Sequence, residues 1–320
     1  MTPSTQPGLL RTVTGSIPAS EVTGSVLSHE HLQLDLRWPQ RRLTEVASDP
    51  RRWLDEEQAI VAELGELRTE HRLSLVVDLT CQGMGRNAAM LSRISAGSRV
   101  AVVAGTGFFT EPFAPQEAAE ADEDRLAELL LAEIGFGMDG TGSLPGVIGE
   151  IGCWGAAPTA FEERALRAAA LAGRESGLAV ATYGRPGMTL LEILTSAGLP
   201  AERVAVGGQD LVDDPGAHRK IAENGAYVAF GLIGLAGEDR AALDARVRYV
   251  LELLEAGHGE RILLSTGVSR MTRIRRYGGA GYGHLFEVFV PALRAAGVDE
   301  AALRTILHDN PLRWLTSGAR

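Results

Sequence analysis

The sequence predicts an α/β protein: a closed (β/α)8 barrel of the TIM type, forming a single domain over residues 1–320. Three observations carry this. Eight short apolar runs recur along the chain. They are near-continuously hydrophobic rather than alternating, the pattern of parallel strands covered on both faces. Amphipathic helical stretches lie between them. A doubly wound open sheet is the rival arrangement. It would usually carry a glycine-rich phosphate turn after its first strand, and here that strand runs into His29-Glu30-His31.

In chain order, the predicted strands are 25–32, 73–80, 99–105, 146–153, 178–183, 203–208, 226–232 and 261–266. Helical stretches between them include 50–72, 122–136, 160–176 and 239–256. Two helix starts carry good caps: Thr159 before Phe161-Glu162, and Asp214-Pro215 before His218. The glycine-rich segment 135–146 reads as a loop rather than a domain boundary.

Composition narrows the function classes. The chain has 320 residues, 45% of them hydrophobic and 22% charged, which is ordinary globular composition. Its formal net charge is -10 with the acidic residues dispersed, which argues against nucleic acid as a partner. The two cysteines, Cys81 and Cys153, form no disulfide framework or zinc-ribbon spacing, and a reducing cytoplasm is expected. Met1 to Pro7 is polar, so no signal peptide is expected. No apolar stretch is long enough to span a bilayer, so no membrane partner is expected either.

Chemistry in such a barrel sits where strands end at their C-termini. Those ends offer His29 and His31; Asp78, Thr80 and Cys81; Thr106; Glu150 and Cys153; Tyr183 with Arg185; Gly208, Gln209 and Asp210; Phe230; and Ser265, Thr266 and Gly267. On a strand, residues i and i+2 share a face, so both imidazoles can reach one ion. Arg185, Arg270, Arg273, Arg275 and Arg276 follow strands five and eight. Most read as solvated surface, with one or two available to an anionic substrate group.

A run of motifs spans the chain, from Thr12-Val13-Thr14-Gly15 through Ser28-His29-Glu30-His31-Leu32, Val77-Asp78-Leu79-Thr80, Gly83-Met84-Gly85-Arg86 and Gly105-Thr106-Gly107-Phe108. It continues in Ile148-Gly149-Glu150-Ile151-Gly152, Ser265-Thr266-Gly267 with Arg270, and Tyr277-Gly278-Gly279. It closes on Gly281-Tyr282-Gly283-His284 and Asn310-Pro311. In these motifs the chain resembles the phosphotriesterase family of the amidohydrolase superfamily. The resemblance implies two divalent metals at the barrel mouth and a hydroxide that attacks an ester, lactone or phosphotriester. His29 and His31 match the strand-one pair, and Glu150 matches the bridging carboxylate. The expected histidines of strands five and six fall at Tyr183 and Gly208, and the expected aspartate of strand eight falls at Gly267.

A binuclear centre is therefore not expected. One carboxylate cannot hold the second ion, whereas His29, His31 and Glu150 make a legitimate His2Glu set for one zinc-like ion. Gly208 and Gly267 carry no side chain and are expected to widen the pocket. The leading functional expectation is a repurposed enzyme doing acid–base chemistry on a small organic molecule, with specialised metabolism as its expected setting. The reaction would be elimination, isomerisation, cyclisation or hydrolysis. His29, His31, Glu150 and Tyr183 would be its catalytic groups, and Arg185, Arg270 and Cys153 would contact substrate. The alternatives are a mononuclear metal-dependent hydrolase using His29, His31 and Glu150, and a non-catalytic ligand-binding barrel. The resemblance leans to a homodimer.

Overall fold

The computed structural model describes residues 8–36, 53–234 and 240–318. A hairpin of β1 (Leu9–Thr12) and β2 (Gly15–Pro18) leads into the first barrel strand, β3 (Ser25–Glu30). A second antiparallel pair, β4 (Leu34–Asp35) and β5 (Trp53–Leu54), follows it. The other barrel strands are β6 (Leu73–Asp78), β7 (Ala101–Thr106), β8 (Val147–Gly152), β9 (Val180–Tyr183), β10 (Val204–Val206), β11 (Tyr227–Phe230) and β12 (Ile262–Leu264). They pair in sequence order, each parallel to the next, as the sequence predicts for a (β/α)8 barrel.

The apolar runs are continuous because both faces of each strand are covered. Val26, Leu75, Val77, Val103, Val147, Ala181, Ala205, Ala229 and Leu263 fill the barrel interior. Their neighbours Leu27, Val76, Val102, Ile148, Val180, Val204, Val228 and Leu264 pack outward against the helices. This is the period-2 alternation of a strand, with an apolar partner on either side.

Helix Ala160–Ser176 starts at the predicted Thr159 cap, which the structure shows as a capping box: Thr159 and Glu162 satisfy each other's backbone amides. The stretch expected over 122–136 is helix Glu123–Phe136, capped by the Asp122 side chain on the amide of Arg125. The stretch expected over 50–72 is helix Glu57–Glu70, and that over 239–256 is helix Arg240–Glu255; residues 50–52 and 239 lie outside the described residues. Among the described residues, no helix is long and apolar enough to cross a membrane. Both cysteines are free and buried.

The seam between β12 and β3 is closed largely by side chains. Ser28 Oγ donates to the carbonyl of Leu264 at 3.1 Å, and the amide of Gly267 donates to the carbonyl of His29 at 3.2 Å. Between these, the Glu30 carboxylate accepts four hydrogen bonds. They come from Ser265 Oγ, Thr266 Oγ1 and the Thr266 amide, each at 2.7 Å, and from the Val268 amide at 2.8 Å.

Candidate functional site

The site begins with two irregularities in the sheet. On β3, Leu27 pairs with Val76 but Glu30 pairs with Asp78, so β3 carries one extra residue over that span. On β8, Ile148 pairs with Val180 but Ile151 pairs with Thr182, again one extra residue. A bulge of this kind re-aims the side chains that follow it. Leu27 and Leu32 both pack outward although they lie an odd number of positions apart, as do Ile148 and Ile151. Beyond each bulge, His29, His31 and Glu150 converge on the mouth.

The convergence is tight. His29 Nε2 lies 3.2 Å from one Glu150 oxygen, and His31 Nε2 lies 3.7 Å from the other. The two imidazoles meet edge to face with centroids 5.5 Å apart. All three side chains are buried. His31 Nδ1 lies 3.0 Å from Thr80 Oγ1, which fixes the ring and leaves Nε2 toward Glu150. The fully buried Tyr282 donates from its hydroxyl to the carbonyl of His31 at 2.8 Å, giving the Gly281-Tyr282 motif a positioning role. His29 has its room because residue 231 is glycine: a Cβ there would sit 2.7 Å from His29 Nδ1.

The electrostatics separate the two histidines. For His29, burial works to lower the pKa, but the charges of Glu150, Glu30 and Asp210 outweigh it, and the net shift is upward. For His31, burial, His29 and Arg273 all act downward, so its pKa falls well below the ordinary histidine value and the ring is neutral at neutral pH. Burial raises Tyr183 to about 12, with Glu150 adding to it and Arg185 and Arg270 opposing it. Asp78, buried beneath the mouth, is pushed up to about 7 by desolvation, although it accepts from the amides of Leu32 and Thr80. Asp210 rises to about 6 for the same reason, with Arg246 3.6 Å away opposing the shift. Asp78 and Asp210 are expected at strand ends, but their part in the site, like that of Glu30, emerges only from the structure. No spacing signal singles them out, because each acts through backbone amides brought together by the barrel.

A metal at this site is a matter of donor chemistry. The ligand atoms of His29, His31 and Glu150 all lie within 4.8 Å of one another. Glu150 Oε2 is buried and makes no hydrogen bond of good geometry despite its closeness to His29. Two imidazole nitrogens and a carboxylate suit one zinc-type cation. By the family resemblance, the remaining donors of a binuclear centre would fall at Tyr183, Gly208 and Gly267, and two glycines and a packed tyrosine offer no suitable set for a second ion.

The expectation that Gly208 and Gly267 open extra room is corrected by the structure. Gly267 has φ +56°, and a Cβ on it would lie 2.3 Å from the carbonyl oxygen of Gly231 and 2.8 Å from Leu232 Cδ2. Gly208 has φ +74°, and a Cβ there would press on the backbone of Gly184 at 3.1 Å. Neighbouring chain occupies the vacated space. Tyr183 packs its ring against Phe109 and Trp154, with centroids 5.4 and 6.4 Å away. Restoring aspartate by Gly267→Asp is accordingly expected to destabilise the fold by about 1–3 kcal/mol and to recover no second ion. Elemental analysis and urea unfolding of the variant check this; a second bound ion would overturn it.

Of the predicted substrate contacts, Arg185 and Arg270 are exposed at the ends of β9 and β12. Cys153 is buried, and its thiol donates to the carbonyl of Gly155 at 3.3 Å; no hydrogen bond links it to the His29–His31–Glu150 cluster. Burial and Glu162 raise the thiol to about 11, which disfavours its thiolate at neutral pH. Arg275, read from sequence as surface, instead joins Glu63, Glu66 and Glu287. Arg273 is buried.

A parallel barrel whose mouth gathers a His-x-His pair and a carboxylate defines the class: a barrel with a metal-type site at the C-terminal ends of its strands. More particularly, the chain belongs to the phosphotriesterase family, whose model matches residues 8–315. It is 32% identical over 295 residues to the phosphotriesterase homology protein of Escherichia coli (strain K12), covering 91% of this chain and 98% of that one. The crystal structure of that protein, complexed with phosphate in its active site, superposes with a TM-score of 0.84, covering 92% of this chain and 99% of that one. A resiniferatoxin-binding protein from Rhodobacter sphaeroides superposes with a TM-score of 0.87 at 32% identity, covering 98% of this chain and 96% of that one. The N-acetyltaurine hydrolase of Homo sapiens is 28% identical over 347 residues, covering 97% of this chain and 98% of that one.

Proposed function

We propose that this protein is a hydrolase of a small ester, amide or lactone that uses one divalent ion held by His29, His31 and Glu150. The observation that carries the reading is the convergence of those three buried donors within 4.8 Å. A family relative named as a hydrolase supports the reaction class. A zinc-type ion, when bound, would supply Lewis-acid activation of water and of the scissile carbonyl.

The other roles belong to the chain itself. Thr80 and Tyr282 hold His31 in its donor orientation. Tyr183, protonated up to about pH 12, has a hydroxyl proton to offer developing negative charge on the substrate. Arg185 and Arg270 hold an anionic substrate group, and Cys153 backs the wall behind it. The reading extends to a cytoplasmic single-domain enzyme working as a homodimer.

A second reading is metal-free acid–base catalysis by the His29–Glu150 pair. It is favoured by their 3.2 Å contact and the upward shift of His29. Elemental analysis after expression with zinc and manganese separates the two. The first reading expects about one ion per chain and turnover of esters or lactones that a chelator abolishes. Turnover that survives complete chelation would overturn it in favour of the second.

A further inference from the structure

Several arginines in this acidic chain pair with carboxylates: Arg86 joins Glu133 and Asp139, Arg93 joins Glu57, and Arg248 joins Asp213. Three arginines near the mouth do not. Among the described residues, Arg185, Arg270 and Arg273 form no ion pair. Arg185 and Arg270 are exposed, so water can solvate them. Arg273 is only 7% exposed. Its Nη1 makes one long hydrogen bond, 3.3 Å, to the carbonyl of Gly267, and its buried Nε makes none. Glu30 acts on it through space, but that carboxylate is committed to Ser265, Thr266 and Val268.

A buried guanidinium with spare donors is costly unless something pairs with it. Burial and the like charge of Arg270 push Arg273 down to about 10. The position matters as much as the cost. Arg273 bonds to Gly267, where the family resemblance expects an aspartate, and its charge acts on His31. Arg270 acts on both Arg273 and Tyr183.

A second observation lies on the same face. Trp154, at the end of β8, is 53% exposed. Phe109 and Phe113 pack behind it at 6.0 and 5.6 Å, and Tyr183 continues the surface toward Glu150. Exposed indole backed by buried rings is a rigid platform for a flat group.

We propose that Arg273, with Arg270 at the rim, binds the carboxylate-class oxyanion of a small substrate whose planar apolar body rests on Tyr183 and Trp154. The substrates of the hydrolase would then be planar anionic esters, amides or lactones. That last step rests on the hydrolase reading; the binding does not. A planar guanidinium fork with free donors is matched to a carboxylate.

The test is calorimetric titration of the full chain, both as purified and after chelator treatment, with benzoate, benzamide and cyclohexanecarboxylate. Benzoate is expected to bind both preparations, benzamide about tenfold more weakly or worse, and cyclohexanecarboxylate more weakly than benzoate. Arg273→Met is expected to lose at least about tenfold in benzoate affinity, and Arg270→Met a smaller factor. If Arg273→Met does not fold, Arg273→Lys keeps the charge without the fork and is expected to weaken benzoate while retaining the native circular dichroism. Equal affinity for benzamide and benzoate, or unchanged benzoate affinity in a folded Arg273 variant, would overturn the proposal. Benzoate binding without any hydrolysis would sink the hydrolase reading alone. Metal-dependent hydrolysis with no preference for anions would sink this one alone.

Discussion

Replacing Glu150 by glutamine is expected to lower turnover of the best ester or lactone substrate by about 10²–10⁴-fold and to strip the bound ion. The substitution keeps the shape of the side chain and removes its charge. Glu150 is buried between His29 Nε2 and His31 Nε2, at 3.2 and 3.7 Å, so no water can stand in for it. An amide there offers one neutral oxygen in place of an anionic pair, and its NH2 group would face imidazole nitrogens meant for a cation.

The same variant has a spectroscopic readout that simple misfolding would not produce. Burial lowers the His29 pKa and Glu150 raises it, with the raising charges winning. In chelator-treated parent and variant, loss of the Glu150 charge should move the His29 titration followed by NMR down. The pH dependence of stability follows from the sign of that shift. A histidine whose folded pKa is raised adds stability below its unfolded value, and that stability is lost as pH rises through the folded value. His31 has the opposite sign: its depressed pKa costs stability as pH falls below the unfolded value. Glu150→Gln should remove the first effect and leave the second, so the variant loses most, relative to the parent, on the acid side. Bound metal retained at parental stoichiometry would show that Glu150 is not a ligand.

The second large effect falls on stability. Glu30→Ala is expected to cost about 3–5 kcal/mol, read as a shift of the urea midpoint. The carboxylate is fully buried and satisfies two hydroxyls and two backbone amides at the end of β12. Hydroxyls can turn to other acceptors, but the amides of Thr266 and Val268 cannot, and they would be left unpaired in the interior. A loss below about 1 kcal/mol would mean that water enters and replaces the carboxylate.

Much of this fold is legible in the sequence because eight strands covered on both faces must be written as eight apolar runs. The His-x-His pair and Glu150 are legible for the same reason, being polar residues set in such runs. What is not legible is the backbone irregularity that aims them. A regular β3 would leave the parity of Leu27, and with it His29 and His31, on the outward face; one extra residue reverses that. No composition or spacing marks the bulge. Nor does sequence distinguish Arg273 from Arg275. Both follow the last strand in an arginine-rich segment, yet one is buried beside Gly267 and the other lies among three glutamates. The glycines at 208 and 267 mislead in a different way. An absent side chain reads as empty space, but glycine also lets neighbouring backbone come closer, and here it has.

The Glu30 seam has a consequence for how this protein's ligands can be found. The barrel is a hoop, and its clasp is the middle residue of the His29-Glu30-His31 triplet, flanked on both sides by the imidazoles that meet Glu150. Opening the hoop and dismantling the mouth are then one event rather than two. On the proposed binding mode, a molecule seated among His29, His31 and Arg273 would hold the clasp shut, and its binding energy would reach the whole fold. Heat resistance becomes a readout of recognition, and a collection of flat anions can be ranked on this chain by melting alone, before any reaction is known.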